Sequence, residues 1–229
     1  MDHDLATCPD TLLATLGTAR APQMIDVCVP EDLSVDPWLI PGARHVPHRQ
    51  IAGMLGLSGP VVVICARGLK LSHGAAAGLR AQGVRATALA GGKAAWAAAG
   101  LPRVSLPEAS ETHWVLAASV APASMFHAWL VQRWAGGTPA ILWVPAPMTA
   151  DVADRFDATE VPASRTPADL ATALGLDWPP LQAFLHTAPP RLTDLLTALP
   201  RLHSTPEAVA QAALHIIDAA WMAQHGAAT

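Results

Sequence analysis

Apolar and polar positions alternate along the chain in two rhythms. In "PVVVIC" (60–65) and "QMIDVCV" (23–29) the apolar residues run nearly without a break, as in strands buried on both faces. "GARHVP" (42–47) and "VRATALA" (84–90) read as further strands. Between them "PDTLLATLGTAR" (9–20), "LSHGAAAGLRAQG" (71–83) and "GKAAWAAAG" (92–100) carry helical spacing, and the last two stop on glycine. Strands of this kind separated by helices predict a parallel sheet covered on both faces.

The pattern changes after "LPRVSLPEASET" (101–112), which carries two prolines and reads as a linker with a boundary near residue 108. Beyond it, "HWVLAASV" and "AILWVPA" read as strands around the helix "SMFHAWLVQRW". The rest is mostly helical. Thr166 is placed to cap a helix with Pro167 at its first position. "PRLTDLLTAL" puts Leu192, Leu195, Leu196 and Leu199 on one face. Val209, Ala212, Ala213, Ile216, Ile217, Ala220 and Trp221 form a stripe along a final helix. The expected architecture is therefore α/β: a parallel sheet flanked by helices over residues 1–107, then a mostly α-helical domain with a small sheet over 108–229.

Composition narrows the function. The chain has 229 residues, 52% hydrophobic and 14% charged, which suits a packed core. A net charge of −4 without a Lys/Arg run argues against a nucleic-acid partner. Residues 112–132 contain no Asp, Glu, Lys or Arg, but Pro122, His113 and His127 interrupt them, so they read as strand, turn and helix and no membrane partner is expected. The start "MDHDLATCPD" is acidic and does not resemble a signal peptide. Three cysteines without a CxxC pair exclude a disulfide framework and a zinc knuckle, and the expected compartment is the reducing cytoplasm. The histidines after residue 110 form no HxxxH or HxH pair, so neither a metal nor a cofactor is expected.

The chemistry concentrates at "CARGLK". A strand ends on Cys65 and a helix begins near Lys70, so the amides of Ala66, Arg67, Gly68, Leu69 and Lys70 curl towards one point. A loop of free amides at a helix start holds an anion and stabilises a thiolate. Gly68 permits the tight turn, and Arg67 and Lys70 add positive charge at the rim. Cys8 and Cys28 read as structural thiols, with Cys28 a resolving thiol if it lies near Cys65.

Four motifs in order resemble the rhodanese domain: "MIDVCVPED", "IPGARHVP", "VVVICARGLKLSHGAAAGL" and "LAGGKAAWAAAGLP", spanning about residues 5–103. The resemblance implies a sulfurtransferase in which Cys65 takes sulfane sulfur from a donor such as thiosulfate. A Cys65 persulfide would then pass it to a thiol or cyanide acceptor. A six-residue loop fits the sulfur-transfer branch, since related phosphatases and arsenate reductases carry one residue more. Cys28, Ala66 and Lys70 stand where family members often carry arginine. Residues 111–225 are similar to the C-terminal domain of chromate resistance proteins, with Trp114 and Trp129 at the family's spacing and His127-Ala128 in place of its Cys-Pro pair. The resemblance links the chain to chromate or oxyanion stress. Two other readings stand beside sulfur transfer: a non-enzymatic persulfide or oxyanion sensor, and an oxyanion reductase using Cys28. The second half is left two roles, shaping acceptor choice or making a homodimer contact.

Overall fold

The computed structural model describes residues 5–54, 56, 57, 59–106, 113–137 and 139–225. The expected boundary at 107/108 lies outside them.

The first half is built on five parallel strands in the order β1-β6-β5-β2-β4. These are β1 (Ala6–Thr7), β2 (Gln23–Asp26), β4 (Ala43–His45), β5 (Pro60–Ile64) and β6 (Arg85–Leu89). β5 is central, and Val61, Val62, Val63 and Ile64 are all buried, which is why its sequence is continuous in apolar residues instead of alternating. Helix α3 (Lys70–Ala81) covers one face through Ala76 and Leu79, packed with Ile25, Val27, Val63 and Cys65. Short helices α1 (Pro9–Leu13) and α2 (Pro30–Val35), with α4 (Gly92–Ala98), contribute Leu12, Leu33 and Trp96 to the other cluster. The helix expected over 9–20 is therefore only its first part; residues 14–20 are turns that carry backbone polar groups to the second half.

The segment read as a linker is partly structured. β7 (Val104–Ser105) pairs antiparallel with β3 (Trp38–Leu39), and the Ser105 amide donates to the Leu174 carbonyl. Val104 is fully buried, which supplies the reason the segment is held.

The second half has its own parallel sheet, β10 (Thr159–Val161), β8 (His113–Ala117) and β9 (Ala140–Val144), with β8 central. Helices α5 (Pro122–Arg133), α6 (Thr149–Phe156), α7 (Pro167–Ala173), α8 (Pro179–His186), α9 (Pro190–Ala198) and α10 (Pro206–His225) complete it. The Thr166 cap forms as expected: its Oγ1 accepts from the Asp169 amide, and Asp169 reaches back to Thr166 in a capping box. Leu195 departs from the expected stripe on α9. It is 55% exposed while Leu192 and Leu196 are buried, because the stripe is narrower than four leucines.

One apolar cluster runs through both halves, joining Leu12, Leu16, Ile40 and Trp96 to Trp114, Trp129, Trp134, Phe184 and Trp221. At its centre the rings of Trp129, Trp134, Phe184 and Trp221 meet edge-on or tilted with centroids 5.3 to 6.1 Å apart. Polar bonds lace the same seam. The Trp129 indole donates to the Gly17 carbonyl at 3.1 Å and the Trp221 indole to the Leu16 carbonyl at 3.0 Å. Gly17 is required here: its φ is +76°, and a Cβ would lie 2.5 Å from the Trp134 ring. Asp218 breaks the apolar stripe of α10, yet it is buried and fully used. It accepts from the Trp129 indole, from Nε and Nη2 of Arg133, and from the Ala19 amide. A buried carboxylate needs that many donors to offset its lost hydration.

Candidate active site

Cys65 follows the C-terminal end of β5, where the ladder stops and the chain must turn. The turn is held from behind by α4. Its Lys93 amide donates to the Cys65 carbonyl at 3.0 Å, and the Ala94 amide to the Ala66 carbonyl at 2.9 Å. The helix start thus takes up the loop's carbonyls and leaves the loop's amides facing the other way.

Two glycines make this approach possible. Gly68 has φ +63°, and a Cβ there would lie 2.5 Å from the Leu89 carbonyl oxygen and 2.6 Å from the Gly92 amide. Gly92 has φ +58°, and its Cβ would collide with the Cys65 carbonyl oxygen and the Gly68 amide. The relation between the loop and the closing "LAGG" turn (89–92) is steric: backbone packs directly on backbone.

Helix α3 begins at Lys70, as its sequence predicts, and its N-cap Leu69 has no side chain that could bond the first-turn amides. The thiol uses them instead. Cys65 Sγ and Ser72 Oγ are hydrogen-bonded at 3.1 Å, and Ser72 Oγ also lies 3.3 Å from the Leu69 carbonyl oxygen. With a protonated thiol the S–H donates to the serine; with a thiolate the serine hydroxyl turns and donates to sulfur. Burial raises the Cys65 pKa, but the Ser72 hydroxyl and the amides of Ser72, Leu69 and Arg67 outweigh it, so the thiol sits below its ordinary value.

Of the expected loop, Arg67 and Leu69 turn their amides to the sulfur, Gly68 is buried in the clamp, and Ala66 gives its carbonyl to α4. The Arg67 and Lys70 side chains are exposed at the rim. The loop opens into a cavity of about 710 Å³ lined by Cys65, Ala66, Arg67, Leu69, Lys70 and Leu71, with His73 and Asp32 from beyond the loop. Its size is in the range of small-molecule sites. Ser72 was not among the expected residues. Its signal is nonetheless in the sequence: a helix starting at Lys70 puts its third residue on the turn that faces a cysteine ending the strand.

The other two thiols differ in setting, and Cys28 is close enough to Cys65 for the two charges to interact. Cys8 is exposed at the start of α1, where its carbonyl accepts from the Leu12 amide. Cys28 is buried among the opposite cluster from Cys65. Burial and the neighbouring Asp26 carboxylate push its pKa far up, so it remains protonated. Asp26 itself accepts from the Cys28 amide at 2.8 Å, and burial raises its pKa.

His127, on α5, is buried at 3% exposure. Burial lowers its pKa to about 4, against the pull of the backbone at Arg165 and Thr166. A ring so enclosed offers no open position to a ligand. No group of three metal-binding side chains occurs among the described residues, and none of their helices is long and apolar enough to cross a membrane.

No protein-family model matches the chain, and no curated protein matches it. Solved structures do resemble it over about two fifths of its length. A rhodanese-like domain protein from Staphylococcus aureus is 26% identical, covering 40% of this chain and 89% of its own, with a TM-score of 0.36. A full-length protein from Lactobacillus plantarum is 29% identical over 44% of this chain and 88% of its own, with a TM-score of 0.41. A thiosulfate sulfurtransferase from Pseudomonas aeruginosa is 30% identical over 44% of this chain but only 19% of its own, with a TM-score of 0.36.

Proposed function

We propose that the protein is a rhodanese-type sulfurtransferase with Cys65 as its nucleophile. One observation carries the reading: a thiol with a lowered pKa, bonded to Ser72, lies at the base of a loop whose amides converge on it and whose rim is cationic. That arrangement suits a dianionic sulfur donor and a negatively charged sulfur intermediate.

In the reaction the Cys65 thiolate attacks the outer sulfur of thiosulfate. A new S–S bond forms, the old one breaks, and sulfite leaves with its electron pair. The persulfide's terminal sulfur then occupies the amide cradle. An acceptor thiolate or cyanide attacks that sulfur, and Cys65 leaves as thiolate. Oxidation states balance within donor and acceptor, so no further reductant is needed. Arg67 and Lys70 draw the donor in electrostatically. The sulfur-transfer reading is preferred to the oxyanion reductase because the buried, protonated Cys28 is badly suited to resolve a Cys65 adduct.

The link to chromate or oxyanion stress extends this reading to the second half, supported by the Trp114 and Trp129 framework of its sequence. His127 is buried and adds no exposed group there, and the part assigned to that half is to carry and shape the first half.

Intact mass after incubation with thiosulfate tests the proposal. The wild type is expected to gain one sulfur and lose it to cyanide as thiocyanate, while Cys65→Ser gains none. A wild type that takes up no sulfur sinks the proposal.

A further inference from the structure

A second polar cavity, of about 270 Å³, lies on the seam between the halves and away from the Cys65 loop. The first half supplies Thr18, Gln23 and Arg44; the second supplies Gln132, Arg133 and Gly137. Its walls are fixed by the backbone on both sides. The Gly42 amide donates to the Trp134 carbonyl at 3.1 Å, and the Gly137 amide donates to the Ala43 carbonyl at 3.1 Å.

The balance of donors and acceptors in this cavity is one-sided. Arg44, on the edge strand β4, is half-buried, and its guanidinium has no hydrogen-bond or ion-pair partner among the described residues. Arg133 commits Nε and one Nη2 hydrogen to Asp218, which leaves three of its five N–H groups. Gln132 adds a half-buried side-chain amide. No carboxylate lines the cavity. The nearest acid, Asp218, is already saturated by Arg133, Trp129 and Ala19. A half-buried guanidinium without a protein partner keeps its donors free for an anion.

We propose that the seam cavity binds a small oxyanion, with Arg44 and Arg133 as its charged ligands and Gln132 as a neutral donor. The volume admits one phosphate, sulfate or short dicarboxylate, and the ligand would touch both halves at once. This site is independent of sulfur transfer at Cys65.

The test is calorimetric titration and thermal unfolding of the full chain with inorganic phosphate, succinate and sodium chloride at matched ionic strength. Phosphate or succinate is expected to bind saturably and raise the melting temperature, with chloride inert. The tighter of the two identifies a phosphate-like or a carboxylate source. Arg44→Gln, on the edge strand β4, is expected to weaken binding by about tenfold, the loss of a charge-assisted contact. Lys70→Ala, at the Cys65 loop, is expected to leave it unchanged. Equal shifts with chloride, or binding lost in Lys70→Ala and kept in Arg44→Gln, overturn the proposal.

Discussion

Each half of the molecule turns from a central parallel strand into a helix, and the two turns end differently. In the first, β5 runs through Cys65 to α3, whose N-cap Leu69 offers no side-chain bond. The amides of the turn stay unspent and face a thiol. In the second, β8 runs to α5, whose N-cap Ala121 likewise offers no side-chain bond, but fewer amides are left over, the Ser124 amide donating to the Ala121 carbonyl at 3.0 Å. Pro122 stands in the first turn of α5 and has no N–H, and the Ala121 amide is taken by Ser119 Oγ at 3.2 Å. Strand, turn and helix are alike. What differs is the set of hydrogen-bond donors left over, and that set is where chemistry can be placed.

Four experiments press on this contrast. The largest effect belongs to the second turn's helix. His127 is held neutral with its pKa lowered to about 4 from 6.5. Below pH 6.5 the unfolded chain binds a proton at this residue that the folded chain refuses, so stability falls as pH drops from 6.5 to 4. The loss is roughly 3 kcal/mol. Urea denaturation across that range should show it in the wild type and not in His127→Phe. An equal slope in both proteins would mean the ring is not held neutral by the core.

Gly92→Ala comes next. A left-handed backbone with a Cβ aimed at the Cys65 carbonyl should cost about 2 kcal/mol or more, read as a lower urea midpoint with slower sulfur uptake. Retained stability and activity would show that the clamp on the loop can relax.

Ser72→Ala removes the hydroxyl that favours the thiolate. The pH profile of Cys65 alkylation by iodoacetamide should move to higher pH, with little change in melting temperature. An unmoved profile would assign the lowered pKa to the amides alone. The smallest effect is expected for Pro122→Ala, within about 0.5 kcal/mol by thermal melting, because the turn gains an amide it does not need.

Much of this was legible in the chain itself. Continuous apolar runs announced β2 and β5, Thr166 followed by Pro167 announced the start of α7, and "CARGLK" announced a turn of amides around a thiol. Local chemistry decides those features, so local sequence reveals them. Asp218 shows the opposite case. On α10 it interrupts an apolar stripe, and its donors come from Ala19, Trp129 and Arg133, far away in sequence. Spacing rules cannot supply a partner at that distance. Leu195 is illegible for a related reason: four leucines share a helical face, and the neighbouring packing determines how wide a stripe is covered. The strand at 104–105 is illegible because two residues are too few to show a period.

The apolar cluster that runs from Leu12 to Trp221 has a thermodynamic consequence. Neither half can open without exposing the other's tryptophans to water, so the two sheets should lose structure together. Heating should give a single cooperative transition, with indole fluorescence and backbone dichroism changing at one temperature. The Cys65 loop would then draw its rigidity from residues that come after it in the chain, and its working temperature range would be set as much by α10 as by the sheet that carries Cys65.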